Sequence, residues 1–123
     1  MKNLCGIGIA IVGLSLASSA LAYSCIGTLD FISVSPTGVV TVSSQSSGLA
    51  TFYPCSLSST VNGVTPDICK GMLATLLTAK STGAQVAWAF TDSIGCNRSS
   101  YNGGNWYWLS DSPSAWYYGP QIQ

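Results

Sequence analysis

The sequence predicts a small, mainly β domain with one helix, arranged as a five-stranded Greek-key barrel and held by two disulfides. Three observations lead to this fold class. Short β-rich segments separated by turn residues fill the stretch 25–57. One capped, amphipathic segment follows at 66–81, and then a further β segment and an aromatic tail. Four cysteines are distributed along these elements.

The first 22 residues have the layout of a secretory signal peptide. A short basic start precedes an apolar run at 7–16, and Ala20 and Ala22 are the small residues of a cleavage site. The run is shorter than the about 20 residues of a transmembrane helix, although an uncleaved anchor is the alternative. We expect residues 23–123 to form one mature domain, secreted or periplasmic, with no membrane association after cleavage.

Three strands are expected before the helix. Residues 25–34 are rich in β-branched and apolar side chains, and the proline and glycine of 35–38 form a turn to a second strand at 39–43. A second turn at 45–48 leads into the third strand at 49–57.

The helix at 66–81 has the clearest local pattern of the chain. Thr65 is a suitable N-cap, Pro66 fits the first helical position, and Gly83 ends the helix. Apolar residues recur at helical spacing, which predicts one buried face. The residues of this face are Ile68, Cys69, Met72, Leu73, Leu76 and Leu77.

A fourth strand is predicted at 85–91, with Trp88 buried at its centre. The aromatic segments 106–109 and 116–118 supply at least one fifth strand. Three strands, a helix and two strands follow one another in an OB-fold, a five-stranded Greek-key barrel.

The four cysteines of the mature chain indicate two disulfides, as is common in small exported domains. Metal binding is the alternative, but the chain has no Cys-x-x-Cys pair and no histidine. In an OB-fold the first and fourth strands pair, which brings Cys25 to Cys96, and the third strand brings Cys55 to Cys69 in the helix. We expect these two pairings, no metal and no cofactor.

Most of the mature chain resembles a family of short exported bacterial proteins of uncharacterised function. The resemblance rests on 62–70, on the helix that continues to Gly83, on Cys25-Ile26-Gly27 and on Cys96. More remotely, 81–86 and the ending Tyr118-Gly119-Pro120 are similar to the B subunits of subtilase-cytotoxin and typhoid-toxin-like assemblies. That similarity implies a disulfide-bonded OB-fold, a pentamer and glycan binding, and it assigns no sugar-contacting residue.

Composition excludes several classes of function. Four positive and four negative residues give a net charge of +0, so the chain lacks the basic surface that nucleic acid or anionic membrane requires. Without histidine, a serine or cysteine nucleophile has no ordinary general base. Asp30 and Asp92 would approach one another if the first and fourth strands pair, and a carboxylate pair is the chemistry of glycosidases. We predict that the protein is not an enzyme, with a small hydrolase as the alternative.

The aromatic tail is the candidate binding surface. Residues 101–118 contain seven aromatic residues in a chain that is 11% aromatic. Tryptophan and tyrosine combine an apolar face with a polar group, which suits sugars and protein interfaces, but they could equally complete a small core. The predicted ligand-binding residues are Trp106, Trp108, Trp116, Tyr117 and Tyr118. We predict non-enzymatic binding of a glycan or a protein; the alternative is a structural protein that forms a homo-oligomeric ring.

The mature chain is predicted to start at Tyr23, because Ala20 and Ala22 occupy the positions that signal peptidase recognises. Intact-mass spectrometry of the exported protein should give the mass of residues 23–123 with two disulfides. Recovery of protein that still carries residues 1–22 would contradict the prediction.

Overall fold

A computed structural model of the chain describes residues 22–92, 95–97, 107–109 and 116–123. The strands among them are β1 Tyr23–Gly27, β2 Phe31–Val34, β3 Val39–Ser44, β4 Ala50–Ser56, β5 Val86–Phe90, β6 Tyr107–Trp108 and β7 Trp116–Ile122. The helix, α1 Pro66–Thr82, connects β4 to β5, and a 3₁₀ turn at Gln45–Ser47 precedes β4. The predicted signal peptide lies outside the described residues, apart from Ala22.

The strands form two sheets. One has three strands in the order β1-β5-β7, and the other has four in the order β2-β3-β4-β6. The pairing of β4 with β6 is parallel, and the other pairings are antiparallel. The mainly β fold with one helix is therefore confirmed, as is the pairing of the predicted first and fourth strands.

The described strands do not close into the single five-stranded barrel that the sequence predicted. The predicted first strand is divided into β1 and β2, one in each sheet. The cause is the 3₁₀ turn, which packs against this point of the chain. The Thr28 N–H donates to Ser46 Oγ at 2.9 Å, and a Cβ at Gly27 would overlap the backbone nitrogen of Ser47. The predicted fifth strand is divided in the same way, because β6 pairs with β4 and β7 with β5.

The core lies between the two sheets. Phe52 of β4 and Trp88 of β5 meet edge to face, with ring centroids 5.0 Å apart. Trp88 is fully buried, as predicted. Large aromatic side chains contribute most to burial because each removes a large apolar area from water. The other large, fully buried side chains are Val40, Val42, Leu49, Leu76, Val86, Phe90 and Leu109.

Helix α1 begins at Pro66, as the sequence predicted, and ends at Thr82, one residue beyond the predicted end. The Ile68 N–H donates to the Thr65 hydroxyl at 3.4 Å, and Gly83 adopts φ 69° at the C-cap. Its buried face is narrower than expected, since Ile68 and Leu77 are exposed. The disulfide of Cys69 to β4 turns that residue toward the core, and adjacent helical residues point about 100° apart. Ile68 is therefore directed away from the core. No helix among the described residues is long and apolar enough to cross a membrane.

Both predicted disulfides are present. Cys25 bonds to Cys96 with Cα atoms 5.4 Å apart, and Cys55 bonds to Cys69 with Cα atoms 5.6 Å apart. The first bond holds the chain that follows β5 against β1. Gly48 permits this approach, because a Cβ there would overlap the Cys96 carbonyl oxygen.

We expect the two disulfides to contribute unequally to stability. Their cysteines are 71 and 14 residues apart in the sequence, so loss of Cys25–Cys96 releases far more freedom in the unfolded chain. The chain-entropy description gives about 4.4 kcal/mol for the longer loop and about 3 kcal/mol for the shorter. Urea unfolding of the two Cys→Ser pair variants measures both values, and a larger loss for Cys55→Ser/Cys69→Ser would contradict this ranking.

Candidate functional site

The predicted ligand-binding residues are separated by the fold. Trp116, Tyr117 and Tyr118 open β7 in the three-stranded sheet, whereas Trp108 belongs to β6 in the four-stranded sheet. Trp106 lies outside the described residues. The aromatic tail therefore contributes to two surfaces, and each surface has its own neighbours.

The two tyrosines of β7 are exposed because the strand is bulged. Phe90 pairs with Trp116 and Ala89 with Tyr118, so Tyr117 is an extra residue in β7. Neighbouring side chains of a regular strand point to opposite faces, and a bulge breaks this alternation. Tyr117 and Tyr118 are both 58% exposed.

Trp116 has a different environment from the tyrosines. It is half-buried, and its ring centroid lies 5.9 Å from that of the buried Trp88. Its indole N–H donates to the Tyr118 carbonyl at 3.0 Å. Trp116 thus packs the start of β7 onto the core and holds the backbone that carries the tyrosines.

A groove runs between β7 and the first half of α1, and we name it the tyrosine groove. It consists of two adjoining depressions of about 240 and 420 Å³. Its lining residues are Asn62, Val64, Ile68, Gly71, Met72, Thr75, Trp116, Tyr117, Tyr118, Gly119 and Pro120. None of these described residues is charged, so the groove offers apolar and aromatic faces together with phenol, hydroxyl and amide groups.

The helical wall of the groove was not predicted from the sequence. Ile68 is 56% exposed and lies one turn from Met72 on the same side of α1. The periodicity of the helix assigned Ile68 to the core, whereas the buried side of α1 carries Cys69, Leu76 and Ala79 and leaves Ile68 in the groove. Gly71 leaves this wall open, since a Cβ there would meet nothing within 4 Å.

Trp108 lies on the second surface, on the outer face of the four-stranded sheet. Tyr107 is buried and its hydroxyl donates to the Leu49 carbonyl at 2.7 Å, so the next residue, Trp108, points outward. The parallel pairing of β4 with β6 sets Trp108 beside Tyr53, with ring centroids 5.0 Å apart. Sequence reasoning missed Tyr53, because its partner lies far along the chain.

The predicted approach of Asp30 and Asp92 is wrong. The Asp92 carboxylate accepts a hydrogen bond from the Tyr23 hydroxyl at the start of β1. Asp30 lies beyond the other end of β1 and accepts from the Gln45 N–H at 2.7 Å. Strands one and four do pair, but the two carboxylates stand at opposite ends of the paired segment.

No protein-family model, curated protein sequence or solved structure matches the chain. The two resemblances noted in the sequence therefore stay predictions, supported by their own motifs. The fold itself presents two aromatic surfaces, one at β7 and one at β6.

Alanine variants should separate the core aromatics from the surface ones. Trp88→Ala should cost about 3–5 kcal/mol of unfolding free energy, the usual range for a fully buried aromatic. Tyr117→Ala and Tyr118→Ala should each change it by about 0.5 kcal/mol or less, as is typical of exposed positions. Trp116→Ala should fall between these values. Urea unfolding measures all four, and a loss for Tyr117→Ala equal to that of Trp88→Ala would place Tyr117 in the core instead.

Proposed function

We propose that this is an exported, non-enzymatic binding protein that holds a neutral glycan in the tyrosine groove. The observation that carries the proposal is the pair of exposed tyrosines, kept at the surface by a bulge in β7 and facing an uncharged groove. Exposed aromatic side chains grouped in a depression are typical of binding surfaces.

The chemistry of the groove favours a sugar over a charged ligand. A pyranose ring presents C–H groups on its faces and hydroxyls around its edge. Tyrosine rings can stack on the C–H faces of the sugar. The tyrosine hydroxyls, Thr75 and the groove backbone can form hydrogen bonds with the sugar hydroxyls. An acidic ligand would need an arginine or lysine, and the described lining contains neither. The remote similarity to glycan-binding toxin B subunits also implies a glycan as the ligand and does not specify its charge.

The finer fold assignment is also a proposal: the two sheets correspond to an OB-type barrel whose first and fifth strands are each divided. Counting β1 with β2, and β6 with β7, gives five strands that each have two neighbours. This order of neighbours is the one that an OB-type barrel would have, with the barrel open where the two strands are divided. Amide hydrogen exchange tests this. If β1 and β2 are one continuous strand, the amides of residues 28–30 should exchange as slowly as those of β1 and β2. If they are two separate strands, the amides of residues 28–30 should exchange faster.

A homo-oligomeric ring is the second candidate function. Strand β2 is at the edge of its sheet and exposes Phe31 and Val34. An exposed apolar edge strand is suited to pair with another chain, and a second copy of this protein could supply the partner. Light scattering of the mature protein would then give a multiple of the monomer mass, and Phe31→Asp would lower it.

Glycan binding should depend on the groove tyrosines. On an array of neutral and acidic glycans, the mature protein should bind neutral members. We expect Tyr117→Ala and Tyr118→Ala to weaken that binding about tenfold or more, equivalent to about 1.4 kcal/mol, because each removes a stacking face.

The matched control is Leu77→Ala, which removes an exposed apolar side chain of α1 outside the groove lining and should leave glycan affinity unchanged. Unchanged binding by the Tyr117→Ala/Tyr118→Ala double variant would contradict the proposal. So would binding restricted to acidic glycans or to a protein partner.

A further inference from the structure

We propose a second carbohydrate site on the outer face of the four-stranded sheet, where Tyr53, Trp108 and Thr41 form a seat for a neutral pyranose ring. We name this surface the aromatic platform. It shares none of its lining residues with the tyrosine groove, so it goes beyond the function proposed above. Its lining residues are Ser35, Val39, Thr41, Tyr53 and Trp108.

The two rings give the platform its shape. Their planes are inclined at 47° with centroids 5.0 Å apart, so together they form a concave surface instead of a flat one. The depression beside them measures about 440 Å³. Small-molecule sites commonly measure about 300–1,000 Å³, so the depression can hold one or two sugar rings.

Thr41 supplies the polar group that points to a ligand. The residue is only 5% exposed, it lines the depression, and its hydroxyl makes no hydrogen bond within the described part of the chain. Among the described side chains only the Trp88 indole N–H is fully buried without a partner, so the Thr41 hydroxyl opens to the depression. A sugar hydroxyl in the depression would satisfy it, and would thereby be held at one position beside the rings.

A β-bulge places Thr41 next to Tyr53. Val40 pairs with Cys55 and Val42 with Phe52, so Thr41 alone faces both Tyr53 and Pro54. The Asn62 side-chain amide donates to the carbonyls of Tyr53 and Pro54, at 2.8 and 2.9 Å, which fixes the bulged backbone. Bulges of this kind redirect side chains beside binding sites, and Asn62 is a positioning residue here.

The rest of the lining defines the ligand class. No described lining residue carries a charge, which disfavours acidic sugars and phosphorylated ligands. The Ser35 hydroxyl already accepts from the Val39 N–H at 3.0 Å and is hydrogen-bonded to the Thr37 hydroxyl at 2.9 Å, whereas the Thr41 hydroxyl makes no hydrogen bond within the described part of the chain. An apolar ring face with one hydroxyl at its edge fits this arrangement.

NMR titration of the mature protein tests the site. The probes are methyl glucoside, methyl galactoside and methyl mannoside, with N-acetylneuraminic acid as the acidic comparison. At least one neutral hexoside should shift the amides of β3, β4 and β6, and the acidic sugar should not. Trp108→Ala should abolish these shifts. Thr41→Val should weaken binding several-fold while leaving the thermal midpoint nearly unchanged, because the Thr41 hydroxyl makes no hydrogen bond within the described part of the chain.

The control variant is Ser33→Ala, which changes the cross-strand neighbour of Thr41 and should bind like the unaltered protein. The Tyr117→Ala/Tyr118→Ala variant should also keep the platform shifts, so failure of the groove and failure of the platform are distinguishable. The proposal is overturned if no neutral hexoside shifts these strands at millimolar concentration. It is equally overturned if Thr41→Val binds unchanged.

Discussion

The contact between Trp88 and Phe52 is the interaction on which the rest of the structure depends. Trp88 is central in the three-stranded sheet, Phe52 belongs to the four-stranded sheet, and their edge-to-face packing at 5.0 Å joins the two. The arrangement has a cost, since the buried Trp88 indole N–H has no hydrogen-bond partner among the residues that the structure describes. Such a group is unfavourable by about 1–3 kcal/mol, less than the about 3–5 kcal/mol that a buried aromatic contributes. Trp116 packs on Trp88, so the tyrosine groove rests on the same residue.

The Cys55–Cys69 disulfide affects which side chains of α1 lie at the surface. Cys69 is held to β4 by Cys55, and together with the burial of Leu76 and Ala79 this bond fixes the rotation of α1 about its axis. Ile68 then faces the groove. A different rotation of the same amphipathic helix would bury Ile68 and remove one wall of the groove. The Cys55–Cys69 disulfide therefore stabilises the domain and also helps to determine which side chains of α1 face the groove.

Much of the fold could be predicted because its determinants are local. The helix has its capping residues within its own sequence, and the alternation around Trp88 indicates a buried strand without reference to any other segment. The division of the first strand could not be predicted, because it follows from contact between Gly27 and the 3₁₀ turn at Gln45–Ser47. Tyr53 was missed for the same reason: only the parallel pairing of β4 with β6 brings Trp108 beside it. Tyr117 and Tyr118, which the sequence named as ligand-binding residues, are exposed, and their binding role stays a prediction. The alternation of the tail could not reveal the bulge that exposes them both.

The proposed groove and platform belong to a chain with almost no net charge, and this affects how it would bind. Without long-range electrostatic attraction, encounter with a ligand is not steered, and affinity must come from short-range stacking and hydrogen bonds. Shallow, neutral sugar sites of that kind bind weakly one at a time. An oligomer with several such sites binds a surface that carries many copies of the ligand more tightly than a single site does, because each contact after the first is intramolecular. A ring built through β2 would supply such copies. The glycan-binding and ring-forming candidates are therefore compatible: oligomerisation would be the means by which weak aromatic sites reach useful affinity.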